Sequence, residues 1–251
     1  NELTMNRAIP FLDLGDFIHG DQSLRNQFVK ELGHAFRHIG FVGIVNHGIP
    51  RDMVKAFYAQ AKQFFSLPVE VKRKYEVPGL AGQRGYTSFG KEHAKQSRVA
   101  DLKEFYQIGQ EVDDSDPIKS EYPDNVMTQD CPEFTQIGNQ LYRSFERSGA
   151  YLLQAIALDL GLDVDYFEDK IHHGNSILRA IHYPPIIQEP DSAIRSEQHE
   201  DINLITLLVG ASAGGLQVLT KDNQWLDVVT GEDEIVVNVG DMLQRLTNNV
   251  L

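Results

Sequence analysis

The sequence predicts an α+β protein, helical in its first part and built of antiparallel strands in its second, with a barrel or jelly roll towards the C-terminus. Apolar residues recur at three- and four-residue spacing through 24–38, 51–66 and 134–160, the period of a helix with one buried face. After Gly174 the pattern changes to short strands at 177–183, 204–209, 215–220, 224–229 and 234–238. Glycines and Asp-Asn pairs separate them.

Taken in order, 8–14 reads as a short strand with Pro10 near its start. Asp21 or Ser23 caps the first long helix, whose stripe is Leu24, Phe28, Leu32, Ala35, Phe36 and Ile39, and Gly40 ends it. An apolar strand over 41–45 closes on Asn46-His47-Gly48-Ile49-Pro50. A second helix turns Met53, Phe57, Ala61, Phe64 and Phe65 inward, and Pro68 opens a further short helical piece to Tyr75. The stretch 77–132, rich in glycine and carrying the acidic run Asp113-Asp114-Ser115-Asp116, reads as irregular connecting structure with one strand near 103–108. The longest helix, 134–160, buries Ile137, Leu141, Phe145, Leu152, Leu153, Ile156 and Leu160. With no repeat and no clear linker, 1–251 reads as one compact unit.

Composition narrows the function. Of 251 residues 36 are acidic and 23 basic, a net charge of −13 that repels phosphate backbones and anionic lipid; nucleic acid and membrane partners are therefore not expected. The single cysteine, Cys131, cannot form an internal disulfide, which suits a reducing compartment, and nothing beside it lowers a thiol pKa. The first twenty residues lack the apolar core of a secretory signal, no window reaches the length of a membrane span, and the expected location is the cytosol.

The residues richest in chemistry are His199-Glu200-Asp201. In extended backbone, residues i and i+2 face the same way, so an imidazole and a carboxylate lie side by side just ahead of the apolar strand. One His and one carboxylate, joined by a second His, form the facial triad of non-haem iron(II) oxygenases. His-x-Asp alone is a weak signal, and its neighbours give it weight. They are Arg179-Ala180-Ile181-His182-Tyr183-Pro184-Pro185 upstream, then Gly214-Gly215-Leu216-Gln217-Val218, Trp225, Val237-Asn238-Val239-Gly240-Asp241 and Thr247-Asn248-Asn249 downstream, with Gly40-Phe41-Val42-Gly43-Ile44-Val45-Asn46-His47-Gly48-Ile49 near the start.

Together these resemble the isopenicillin N synthase-like branch of the iron(II)/2-oxoglutarate-dependent dioxygenases, from about residue 9 to 251. The resemblance implies a double-stranded β-helix, or jelly roll, over 175–251, incomplete as it stands, with a helical N-terminal region over 7–115 packed on it. It implies His199 and Asp201 as metal ligands and Tyr183 as a contact of the 2-oxoglutarate carboxylate. Iron(II) and 2-oxoglutarate are the cofactors it implies, with ascorbate as an optional addition. The partners are O2 and a small organic molecule, to be hydroxylated, desaturated or cyclised. The glycine-containing motifs match strands and turns of the β-helix. Two departures stand out. Ile181 occupies a position where many relatives carry an asparagine. The family's second His ligand and its Arg-x-Ser pair would follow Leu251, so the sequence is expected to be a portion of a longer chain. The rival reading is a non-catalytic jelly-roll binding protein without the full metal site.

Other candidates have plainer readings. His182 points to the opposite face from Tyr183 and reads as a satisfied or partly exposed histidine rather than a substitute ligand. His34 and His38, at i,i+4, read as helix-surface residues, His172-His173 as a solvated pair, and His47 as a turn residue. Arg84 is either a loop residue reaching a substrate carboxylate or a surface arginine. Tyr86, Phe89, Phe105 and Tyr106 line a substrate pocket or simply pack. The Gly-rich stretches lack the strand-to-helix setting of a phosphate loop, which excludes nucleotide binding.

Overall fold

Short-range signals set most of the element boundaries. The computed structural model describes residues 9–80, 83–89, 103–172, 174, 176–182, 204–209, 216–219, 223–228 and 230–251. In chain order the elements are β1 Phe11–Asp13, α1 Leu14–Ile18, α2 Gln22–His38, β2 Phe41–Val45, α3 Arg51–Phe65, α4 Val69–Arg73, β3 Gly85–Thr87, β4 Glu104–Gly109, a 3-10 turn Pro117–Glu121, α5 Pro132–Asp159, α6 Glu168–His172, β5 Ile177–His182, β6 Ile205–Val209, β7 Leu216–Leu219, β8 Trp225–Val228, β9 Ile235–Val239 and α7 Asp241–Leu246. The helices and sheets of an α+β protein are therefore present.

Their contacts divide into two units. Unit one comprises Asn1–Arg51, Phe145–His172 and Asp201–Leu251. Its four-stranded sheet runs β1-β2-β9-β6, with β1 parallel to β2 and the other pairs antiparallel. Asp21 caps α2 by accepting from Leu24 N at 2.9 Å, and Gly40, at φ 89°, takes the left-handed turn that stops it. The buried stripe of α2 is Phe28, Leu32, Ala35 and Phe36; Leu24, at its outer edge, stays exposed. α1 and α2 lie against β1 and β2. A Cβ at Gly43 would come within 2.3 Å of the Phe11 ring on β1, so the close approach of the two strands requires glycine there. Arg37, near the end of α2, forks onto Asp159 at the end of α5, at 2.5 and 3.2 Å. A two-stranded antiparallel ribbon, β7-β8, belongs to the same unit.

Unit two comprises Asp52–Ser144 and His173–Glu200. Its sheet runs β3-β4-β5, all antiparallel. Its core is aromatic. The fully buried Phe64 stacks on Phe134 at 5.0 Å and meets Tyr75, Tyr86 and Tyr106 within 5.9 Å. Each such side chain contributes roughly 1.5–3 kcal/mol through burial.

Three elements differ from expectation. Within 8–14 only Phe11–Asp13 is strand, because the Asp13 side chain accepts from Gly15 N at 2.8 Å and starts α1. β3 lies in the stretch expected to be irregular; its strand character comes from pairing, Tyr86 opposite Tyr106, which local composition does not encode. The Asn-Val-Gly-Asp motif is not strand and turn alone: it ends β9 and starts α7, with Leu243 fully buried. Among the described residues no helix is long and apolar enough to cross a membrane.

Candidate active site

His199, Asp201 and Tyr183 lie outside the described residues, as does His173. The strands that flank them are described. β5 ends at His182, one residue before Tyr183, and β6 begins at Ile205, shortly after Asp201. β6 is held along its length by β9, Ile205 opposite Val239 through Val209 opposite Ile235, and Gly240 N donates to Leu204 O at 2.9 Å. The His-x-Asp segment thus precedes a paired strand, as its apolar sequence predicts. Among the described residues, no group of three or more His, Cys, Asp or Glu side chains is placed to hold a metal. The chemistry of the two sequence-assigned donors, one imidazole and one carboxylate, suits iron(II).

β5 carries different chemistry on its two faces. Arg179 Nε donates to Gln107 Oε1 at 3.0 Å, and its guanidinium lies 4.4 Å from the Phe105 ring centre. Ile181 is exposed. On the opposite face, His182 sits across from Glu104 in the β4–β5 register. His182 Nδ1 lies 3.1 Å from Glu104 Oε1, and its ring stacks on Phe65 at 5.4 Å with an 18° interplanar angle.

Glu104 is the centre of a buried polar cluster. Lys72 Nζ, on α4, donates to both of its carboxylate oxygens at 3.0 and 2.8 Å and to Phe65 O at 2.9 Å. Tyr86 OH, on β3, donates to Glu104 Oε2 at 2.5 Å. The Lys72 and Glu104 side chains are 4% and 0% exposed, so each charge depends on the other. Burial, then the hydrogen bond to Glu104, pushes the Tyr86 hydroxyl far above its usual value and keeps it a donor. This cluster is the feature that sequence reasoning missed. Its one local signal is Lys103-Glu104 at the head of a largely apolar strand, and nothing marks Lys72, on another element, as the partner.

The remaining candidates fall into place. Neither reading of Arg84 holds, because its side chain is fully buried. Nη1 donates to Gln83 O at 2.9 Å, while Nε and Nη2 make no hydrogen bond among the described residues, and burial pulls the guanidinium below its ordinary value. It fits only because residue 109 is glycine: a Cβ there would lie 2.0 Å from its guanidinium carbon. Tyr86, Phe105 and Tyr106 are also buried, and they pack. Cys131 is buried, and burial followed by the Asp130 charge raises its thiol pKa, the setting of an unreactive cysteine. His34 and His38 are both exposed, with ring centres 4.2 Å apart, and His172 is exposed as expected.

Helices leading into antiparallel strand pairs, with a His-x-Asp segment just ahead of an apolar strand, are compatible with a non-haem iron oxygenase. Comparison with known proteins agrees. Residues 9–130 match the family described as non-haem dioxygenase in morphine synthesis N-terminal, and residues 174–251 match the 2OG-Fe(II) oxygenase superfamily. The proline hydroxylase buaE of Petromyces alliaceus is 34% identical over 252 residues, 96% of this chain and 77% of that protein. The crystal structure of a 2OG-Fe(II) oxygenase family protein from Caulobacter crescentus superposes with a TM-score of 0.84 at 39% identity, covering 98% of this chain and 78% of that one. A full-length Neurospora crassa protein, crystallised in complex with alpha-KG, gives 0.83 at 30% identity, covering 97% and 76%. The chain belongs to the 2OG-Fe(II) oxygenase superfamily, in its isopenicillin N synthase-like branch, and is an iron(II)- and 2-oxoglutarate-dependent oxidoreductase.

Proposed function

We propose that His199 and Asp201 bind the iron of this oxygenase, that Tyr183 contacts the 2-oxoglutarate carboxylate, and that the substrate is a small organic molecule. The match to the oxygenase superfamily over 174–251 supports this reading, because that span contains all three residues. We further read 175–251 as jelly-roll core and 7–115 as a helical N-terminal region packed on it. Relatives support a small substrate: one is named a proline hydroxylase, and the Neurospora crassa protein has also been crystallised with alpha-KG and thymine together.

Bound iron(II) with 2-oxoglutarate supplies the chemistry, coupling O2 reduction to decarboxylation of the keto acid and to two-electron oxidation of the substrate. The chain's own residues orient and enclose. In extended backbone, an imidazole and a carboxylate two residues apart would present their donors on one side. The paired strand β6 follows that segment, and in this reading the Tyr183 hydroxyl orients the co-substrate. Oxygen uptake in the presence of iron(II) and 2-oxoglutarate tests the assignment. His199→Ala is expected to reduce uptake at least a hundredfold, and equal uptake by variant and parent would sink it.

A further inference from the structure

Helix α2 carries a pair of histidines that the oxygenase chemistry leaves unused. Phe28, Leu32, Ala35 and Phe36 form its buried stripe. His34 and His38 lie on the exposed side, where residues four apart are neighbours one turn from each other. Their ring centres are 4.2 Å apart and their planes are tilted by 46°. The backbone beneath them is held in place. A Cβ at Gly33 would lie 2.2 Å from the Asp159 carboxylate, so α2 touches the end of α5 directly there. Arg37 forks onto the same carboxylate, which compensates the one cationic side chain between the two histidines in sequence.

We infer that His34 and His38 form a second metal site, on the surface of α2 and independent of His199 and Asp201, that takes a divalent ion of the nickel(II) or copper(II) class. A neutral imidazole offers one lone pair, at a metal–nitrogen distance of about 2.0–2.1 Å. A metal so bound to both rings lies about 3.2 Å from each ring centre, and centres 4.2 Å apart then subtend roughly 80–85° at it. That is the bite of two adjacent positions in a square-planar or tetragonal site, and it is narrower than the tetrahedral angle of structural zinc(II). His38 is the last residue of α2, where the carbonyl end of the helix favours a cation. Among the described residues no third donor joins the pair, and Glu31, one turn before His34, accepts from Gln27 Nε2 at 2.9 Å. The chain therefore supplies two ligands, and water completes the shell.

Nickel(II) is the probe, because it undergoes no redox exchange with iron(II). The full-length protein, with iron(II) and 2-oxoglutarate bound, is titrated anaerobically with nickel(II) in a calorimeter as parent, His34→Gln, His38→Gln and His172→Gln, and His199→Ala is titrated in the same buffer. Glutamine suits an exposed helix face, and thermal unfolding of each variant without nickel(II) serves as the control for folding. The parent is expected to bind nickel(II) at least about tenfold more tightly than either His34→Gln or His38→Gln, because the second imidazole of a pair binds within the complex the first has formed. His172→Gln and His199→Ala are expected to bind like the parent, and oxygen uptake by His34→Gln without nickel(II) should equal the parent's. If either variant of the pair keeps the parent's affinity, or if His172→Gln or His199→Ala loses as much as they do, the inference is overturned. Zinc(II) should bind more weakly than nickel(II), and the reverse order would overturn the choice of ion.

Discussion

His47 shows how a single side chain combines a legible and an illegible part. Its place in Asn46-His47-Gly48-Ile49 marks a turn, and the structure has that turn, with Asn46 and Gly48 both at positive φ. Its burial could not be read from sequence. Nδ1 accepts from Ile49 N at 3.0 Å, the backbone of Asp233 takes the ring's other hydrogen, and Ser148 Oγ donates to the His47 carbonyl at 2.5 Å. Burial lowers the imidazole pKa below its usual 6.5, outweighing the Asp233 contributions. As pH falls below 6.5 the unfolded chain takes up a proton that the folded chain refuses, so stability is complete above that value and declines until the lower folded pKa is reached. Urea unfolding between about pH 8 and 5 should therefore show a loss that His47→Asn flattens. Equal slopes for parent and variant would rule out His47 as the source. Arg84 and Gly109 repeat the lesson: a charged residue in a glycine-rich stretch reads as surface, and only the fold shows a guanidinium packed against a missing Cβ.

At the scale of elements, strong periodicity was sufficient. The helices Gln22–His38, Arg51–Phe65 and Pro132–Asp159 and the strands Phe41–Val45 and Ile235–Val239 lie within two residues of where apolar spacing and capping residues put them. β3, α1 and α7 were not legible, because a three-residue strand is defined by its partner and helices of five or six residues are too short to show a period. The ion pair that ties α4 to β4 belongs to the same category, since Lys72 and Glu104 are 32 residues apart. Its energetics make a sharp prediction. Lys72→Met leaves a buried carboxylate without its counter-charge and should destabilise the protein by about 3–5 kcal/mol. Lys72→Met combined with Glu104→Gln should cost less than Lys72→Met alone, because no unpaired charge remains. Denaturant unfolding of the two variants checks this, and a double variant less stable than the single one would contradict it.

For the whole molecule, the order of motifs carried more information than any of them singly. His-x-Asp is common, but His-x-Asp behind Tyr-Pro-Pro and ahead of Gly-Leu-Gln-Val and Asn-Val-Gly-Asp is specific, and the family matches over 9–130 and 174–251 cover the same ground. The substrate was not legible: three of the aromatic residues offered as pocket lining, Tyr86, Phe105 and Tyr106, are buried, and relatives of similar identity are named for, or crystallised with, different small molecules. The central claim is that His199 and Asp201 make a site in which metal and co-substrate bind together. Anaerobic titration of the full-length protein with 2-oxoglutarate, with and without iron(II), tests it most directly. The expected result is tight binding that requires iron(II) and is lost in both His199→Ala and Asp201→Ala. Binding that ignores iron(II), or that survives in both variants, would contradict the claim.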